Sequence, residues 1–163
     1  AMGDALAITV LERRGFNEED FALLHPGGAL GKKLLLRVED LMHVKDAVPM
    51  VSQDDSMSIA LIEMTSKRLG ITGVCDSDGN FIGVITDGDL RRNLEKRSDV
   101  LAEKARDVMT LSPKTITKTA LAATALRLME RHAITSLFVL SESAPKKVEG
   151  LIHLHDILKA GVA

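Results

Sequence analysis

Thr86-Asp87-Gly88-Asp89 is the stretch of this sequence best equipped for chemistry. It stands where a β-rich run, Phe81 to Thr86, gives way to a helical pattern carrying Leu90, Arg91, Arg92 and Leu94. Backbone N–H groups and the positive end of a helix dipole then face an opening suited to phosphate. Thr86 can donate to a phosphate oxygen, and the Asp89 carboxylate can accept from both hydroxyls of a ribose cis-diol. The same spacing is that of a capping box, in which Thr86 and Asp89 satisfy only the first turn of the helix. From these residues alone both readings stand. Asp87 with Asp89 is weaker as an acid/base pair, because carboxylates at a helix start are favoured by the dipole without any reaction. Arg91 and Arg92 are placed to reach an acidic ligand group or a neighbouring subunit, with plain solvation as the alternative.

Two further groups invite comparison with known chemistry. His153 and His155 share one strand face at period-two spacing, and with His132 they raise the question of a metal. No thiolate cluster or acidic triad accompanies them, so no metal is expected. Gly27-Gly28-Ala29-Leu30-Gly31-Lys32-Lys33 has one residue too few between its glycines for a P-loop, and Lys33 stands where Ser or Thr must reach Mg²⁺. His25, just before Pro26 and two glycines, is an imidazole able to relay a proton. Its plainer reading is a loop histidine.

The elements that position these residues come twice. Val38-Glu39-Asp40-Leu41-Met42 returns as Ala105-Arg106-Asp107-Val108-Met109, and Gly83 to Leu90 returns as Gly150 to Ile157, both 67 positions later. Between them, Gly70-Ile71-Thr72-Gly73-Val74 resembles Ala133-Ile134-Thr135-Ser136-Leu137 at an offset of 63. Each copy reads strand, helix, strand, strand, helix. In the first, the spacing predicts a strand over 48–51, a helix over 57–68 led by Asp54-Asp55-Ser56, and strands over 73–76 and 81–86 around an Asp78-Gly79 turn. In the second it predicts strands over 115–117, 136–140 and 148–153 and helices over 121–131 and 154–160. The expected fold is α/β (α+β), two β-α-β-β-α repeats packed as a pseudo-twofold pair, because each half is too small to bury a good core alone. The expected boundaries are 1–37 for a remnant and linker, 38–98 for the first repeat and 99–163 for the second.

Composition narrows the function. A chain of 163 residues with 45% hydrophobic and 27% charged residues folds. A net charge of -2 and four Phe with no Trp or Tyr leave little for nucleic acid to stack on. Cys75 is alone and makes no internal disulfide. No signal peptide and no run of about 18 apolar residues appears, so a cytoplasmic protein without a membrane span is expected.

The doubled unit, with its Gly-Val-Ile-Thr-Asp-Gly-Asp-Leu-Arg-Arg hairpin end, resembles the cystathionine β-synthase (CBS) domain pair, or Bateman module, over about residues 38 to 160. Upstream, Gly3 to Ala7, Arg14-Gly15-Phe16 and His25 to Gly31 are similar to the end of the sugar isomerase domain of D-arabinose 5-phosphate isomerases. The resemblance implies a parent enzyme interconverting D-ribulose 5-phosphate and D-arabinose 5-phosphate on the way to the sugar acid Kdo of lipopolysaccharide, with His25 catalytic only in the intact enzyme. For this stretch it implies a non-enzymatic regulatory module with no cofactor. Thr86 and Asp89 would hold nucleotide phosphate and ribose, with Ile71, Thr72 and Gly73 beside the base. In the second copy His153 replaces the threonine while Asp156 remains. With Thr135, Ser136 and Arg91 these complete the expected ligand residues, and the two sites should differ chemically. CMP-Kdo is the favoured ligand, and AMP or ATP come next. The alternative is an assembly module without ligand. A homodimer of this stretch, and a higher oligomer of the parent, is expected through the small residues of Leu121 to Leu126. Asp89→Asn is expected to leave stability nearly unchanged while weakening the ligand.

Overall fold

The computed structural model describes residues 35–95 and 99–162; His25 and the glycine-rich stretch after it lie outside them. The chain order is α1 (Val38–Leu41), β1 (Met50–Ser52), α2 (Met57–Lys67), β2 (Ile71–Cys75), β3 (Phe81–Thr86), α3 (Asp87–Leu94), α4 (Ala105–Val108), β4 (Thr110–Leu111), β5 (Thr115–Ile116), α5 (Ala122–His132), β6 (Ser136–Leu140), β7 (Val148–His153) and α6 (Leu154–Lys159). Short 3₁₀ turns cover Lys45–Ala47 and Val100–Ala102.

Local chemistry explains the breaks. Helices α2 and α5 both end on a left-handed residue, Arg68 at φ 58° and Ala133 at φ 51°, which frees the chain to turn straight into a strand. The turn between β2 and β3 is held by Asp76, whose Oδ1 accepts from the N–H groups of Asp78 (2.9 Å) and Asn80 (2.8 Å), with Gly79 at φ 71°. Ser56 sits at the start of α2 without a side-chain cap bond. Asp55 instead accepts from Ser52 N at 2.8 Å, and Asp54 pairs with Lys104 and Arg106.

The two copies form two sheets. One has the order β1-β2-β3-β4 and the other β5-β6-β7, each with its first pair parallel and the rest antiparallel. Strand pairing corrects the offset in the middle of the repeat. Ile71 faces Thr86 and Ser136 faces His153, so Ile71 corresponds to Ser136 and Gly73 to Phe138. The strands are offset by 65 rather than 63, and the turn between β6 and β7 is two residues longer than its counterpart.

The leading segment of each copy packs on the other copy. His43 exchanges backbone hydrogen bonds with Leu151 of β7 (2.8 and 3.0 Å), and Val38 is buried among Ala122, Ala125, Met129 and Ile152 of the second copy. Reciprocally, β4 pairs with β3 and Ala105 and Val108 are buried among Met57, Ala60, Val74 and Ile85 of the first. Each crossing needs a residue without a side chain. A Cβ on Gly83 would lie 2.9 Å from the Thr110 carbonyl, and one on Gly150 would lie 2.7 Å from the His43 carbonyl. Between the sheets a third cluster, Val48, Ile71, Val84, Phe138 and Leu151, joins the halves. Phe81 and Phe138 stack at 4.9 Å between ring centroids within this layer.

Candidate functional site

A cleft of about 640 Å³ opens where the halves meet. One wall is the start of β2 (Gly70, Ile71) with Thr86, Asp87, Gly88, Asp89 and Arg92; another is Thr110 and Ser112 to Lys114; the third is Ala133 to Ser136 with Phe138. Every wall follows from the repeat: the β3–α3 junction of one copy meets the α5–β6 junction of the other, and the crossing segment closes the side.

Asp89 is the organising residue, 5% exposed. Its Oδ2 accepts from Thr86 N (2.9 Å) and Thr86 Oγ1 (2.7 Å), and its Oδ1 from the Arg92 guanidinium (2.6 Å) and Thr110 Oγ1 (3.1 Å). Thr86 Oγ1 in turn accepts from Asp89 N at 3.2 Å. The capping box is thus formed, and two further donors hold the carboxylate against the crossing segment. A diol approaching Asp89 meets an oxygen that already has partners.

Ser136 offers the opposite condition. It is 7% exposed, lines the cleft, and its Oγ has no hydrogen-bond partner in the fold. A buried hydroxyl without a partner costs about 1–3 kcal/mol.

Of the residues expected from sequence, Ile71, Thr86, Asp89, Thr135 and Ser136 line one cleft. Thr72 does not: it is fully buried, with its hydroxyl donating to the Gly73 carbonyl at 3.3 Å. Gly73 is likewise packed away, its open side filled by Met50 Sδ and the Phe138 ring. Arg91 is exposed and outside the cleft, where its neighbour Arg92 stands instead. Thr110, Lys114 and Phe138 were missed. The offset of 67 pairs Thr110 with His43 and was the one sequence signal that marked it.

His153 and Asp156 sit at the pseudo-equivalent place and do not line this cleft. Asp156 Oδ2 is 2.8 Å from His43 Nε2, matching Thr110 against Asp89, and His153 Nδ1 accepts from His155 N at 3.0 Å. Among the described residues no group of three or more His, Cys, Asp or Glu is arranged to hold a metal ion. Burial pushes the His153 imidazole below its ordinary pKa of 6.5, helped by the nearby His155 and His43 and opposed by Asp156. The unfolded chain therefore takes up this proton first, so stability is full above about pH 6.5 and drops as the pH falls below it. His153→Thr, which installs the first repeat's residue, is expected to flatten that fall. Melting curves between about pH 7.5 and 5.5 check it, and an unchanged slope in the variant would remove His153 as the cause.

The CBS domain model matches twice, at residues 38–96 and 105–163. The chain is similar to the arabinose 5-phosphate isomerase KdsD of Pseudomonas aeruginosa, with 50% identity over 99% of this chain and 49% of that protein. The Escherichia coli (strain K12) KdsD is 48% identical over 99% of this chain and 48% of its own length. The chain thus spans about half the length of the curated relatives it matches. Among solved structures, CBSX2 in complex with AMP superposes with a TM-score of 0.66 at 24% identity, covering 78% of this chain and 96% of that one. The CBS domain pair of MJ0100 in complex with 5'-methylthioadenosine and S-adenosyl-L-methionine gives 0.67 at 17% identity, over 77% and 94%. At these identities the likeness is one of fold.

Proposed function

We propose that this chain, which belongs to the CBS domain family and carries two copies of the domain, binds a nucleotide or nucleotide sugar in the cleft between them. It would act as the regulatory part of an arabinose 5-phosphate isomerase. The observation that carries the reading is the cleft itself, bordered by Thr86, Asp89 and two cations, Arg92 and Lys114, with the buried Ser136 in its opposite wall. In this reading Thr86 and Asp89 meet phosphate and ribose, Ile71 and Thr135 flank the base, and Ser136 fixes the ligand's orientation. The second site, with His153 and Asp156, prefers a different ligand or none.

The ligand follows from the relatives. Similarity to the isomerases favours CMP-Kdo, the activated sugar acid at the end of the route such an enzyme serves. Adenylates come next, in line with the AMP and adenosine compounds bound by the CBSX2 and MJ0100 structures. Residues 1–37 are proposed to be the tail of the isomerase domain, with His25 active only in the whole enzyme, and 38–98 and 99–163 the two repeats. No helix among the described residues is long and apolar enough to cross a membrane.

A thermal-shift panel of CMP-Kdo, CMP, AMP and ATP tests the reading, since a ligand that binds only the folded state raises its apparent stability. Ser136→Ala is expected to leave the unliganded melting temperature unchanged or slightly higher, because it removes an unpartnered polar atom, and to reduce the ligand-induced rise. No rise with any compound would overturn the proposal.

A specific observation also favours assembly. The small residues of α5 expected to mediate contact between chains are used inside the chain, with Ala122 and Ala125 fully buried. Among the exposed apolar residues, α2 presents two on one helix, Ile59 and Ile62, the latter 68% exposed. We propose that α2 forms the contact of a homodimer, within a higher oligomer of the parent. Light scattering at about 100 μM, where a standard interface is occupied, should give a dimer that Ile62→Asp converts to monomer. A monomeric parent chain would refute this.

A further inference from the structure

We infer that Arg92 is the selectivity element of the cleft, a guanidinium that ribosyl ligands must displace from Asp89 and that favours those carrying a phosphate over those that do not. The inference rests on the nucleotide reading above. Four donors already serve the Asp89 carboxylate, and two of them, Thr86 N and Thr86 Oγ1, belong to the turn that starts α3 and close its capping box. A ribose diol can therefore gain Asp89 only on the Oδ1 side, held by Arg92 and Thr110. Of these, Arg92 is the one free to move: its side chain is 64% exposed, against 8% for Asp89, and it rests over Gly88, where a Cβ would lie 3.3 Å from its Nη1. Gly88 leaves the space the guanidinium occupies and through which it can swing.

Displacement has a consequence that depends on the ligand's charge. With the diol on Asp89, the cleft holds Arg92 and Lys114 as cations, while Asp87 turns its carboxylate against Gly70 at the β2 side. A neutral nucleoside takes Asp89 away from Arg92 and returns nothing to it. A nucleotide returns a phosphate, which the planar guanidinium binds in two parallel hydrogen bonds. Arg92 thus opposes the entry of neutral ribosides and supports that of phosphorylated ones. Ser136 lies buried in the opposite wall.

The experiment is titration calorimetry of CMP against cytidine and AMP against adenosine, on the parent chain and on Arg92→Gln. The parent is expected to prefer the nucleotide by about 10-fold or more, the scale of a charge-assisted hydrogen bond. In Arg92→Gln the nucleoside should bind more tightly and the nucleotide more weakly, so that the preference shrinks to within about 3-fold. Arg92→Lys should retain part of it. A preference that Arg92→Gln leaves unchanged, or a parent that does not discriminate, overturns the inference while leaving the nucleotide reading intact. Failure of the parent to bind any of these compounds or CMP-Kdo overturns the nucleotide reading and the inference with it. Should Arg92→Gln fail to fold, Arg92→Lys decides in its place, and a nucleotide preference equal to the parent's in that variant rejects the role of the guanidinium.

Discussion

Phe138→Ala is expected to lower the unfolding free energy by about 3 to 5 kcal/mol, the range for emptying a well-packed aromatic site. Phe138 is 1% exposed and belongs to the small cluster that joins the two sheets. Its ring stacks on Phe81 and fills the space over Gly73, where even a Cβ would lie 2.9 Å from Phe138 Cε1. Of the neighbours, Gly73 offers only backbone and Met50 a flexible side chain, so relaxation into the void is partial. The ring is also part of the cleft wall, and ligand affinity should fall together with stability. Urea denaturation gives the first quantity and calorimetry the second. A loss of stability below about 1 kcal/mol would show that the layer between the sheets is not a principal link between the halves.

Asp89→Ala is expected to cost about 2 to 4 kcal/mol, from the lost cap and from the Thr86 N–H left without an acceptor. Arg92 contributes less to this loss because its exposed guanidinium returns to water. The milder Asp89→Asn is also expected to destabilise, by about 1 to 2 kcal/mol. Read from sequence as a capping residue, Asp89 tolerates asparagine. With donors on both oxygens, however, the amide must turn its NH₂ either toward Thr86 or toward Arg92 and Thr110, and one of those pairs becomes donor against donor. A melting temperature for Asp89→Asn equal to that of the parent would mean that the Arg92 and Thr110 contacts carry no net stability. Binding measured on this variant has to be compared under conditions where it is folded.

Much of this architecture is written in local patterns. The hairpin strands over 81–86, 136–140 and 148–153 stand where alternation and the Asp78-Gly79 turn put them, and α2 starts where its apolar period starts. The middle of the repeat is legible only from pairing. Gly70-Ile71-Thr72 and Ala133-Ile134-Thr135 look alike as text, but it is Ile71 and Ser136 that face the ends of β3 and β7. Two residues of slip on a strand preserve the face, so hydropathy does not detect it. Arg92 was open to recognition, since it is three residues beyond Asp89 on one helix and neighbouring side chains meet at that spacing. Ser136 was named by resemblance, but its lack of a partner is a property of the packed interior and of no motif. Thr72 and Gly73 were named the same way, and the alternation of β2 turns Thr72 into the fold while Gly73 is filled by the opposite ring. Thr110 and Lys114 border the cleft only because their segment crosses to the other half. The matching segments 38–42 and 105–109 are too similar in sequence to say which copy each would join.

That crossing carries a history. Each copy lends its leading segment to the other and receives one back, with Gly83 and Gly150 opening the same gap on both sides. Two identical half-length chains could satisfy one another in this way without any linker. The pair has the form of a symmetric dimer whose halves are joined end to end. Once joined, the halves no longer had to remain alike. Thr86 with Thr110 on one side and His153 with His43 on the other show how far two descendants of one site have parted, each still holding its aspartate.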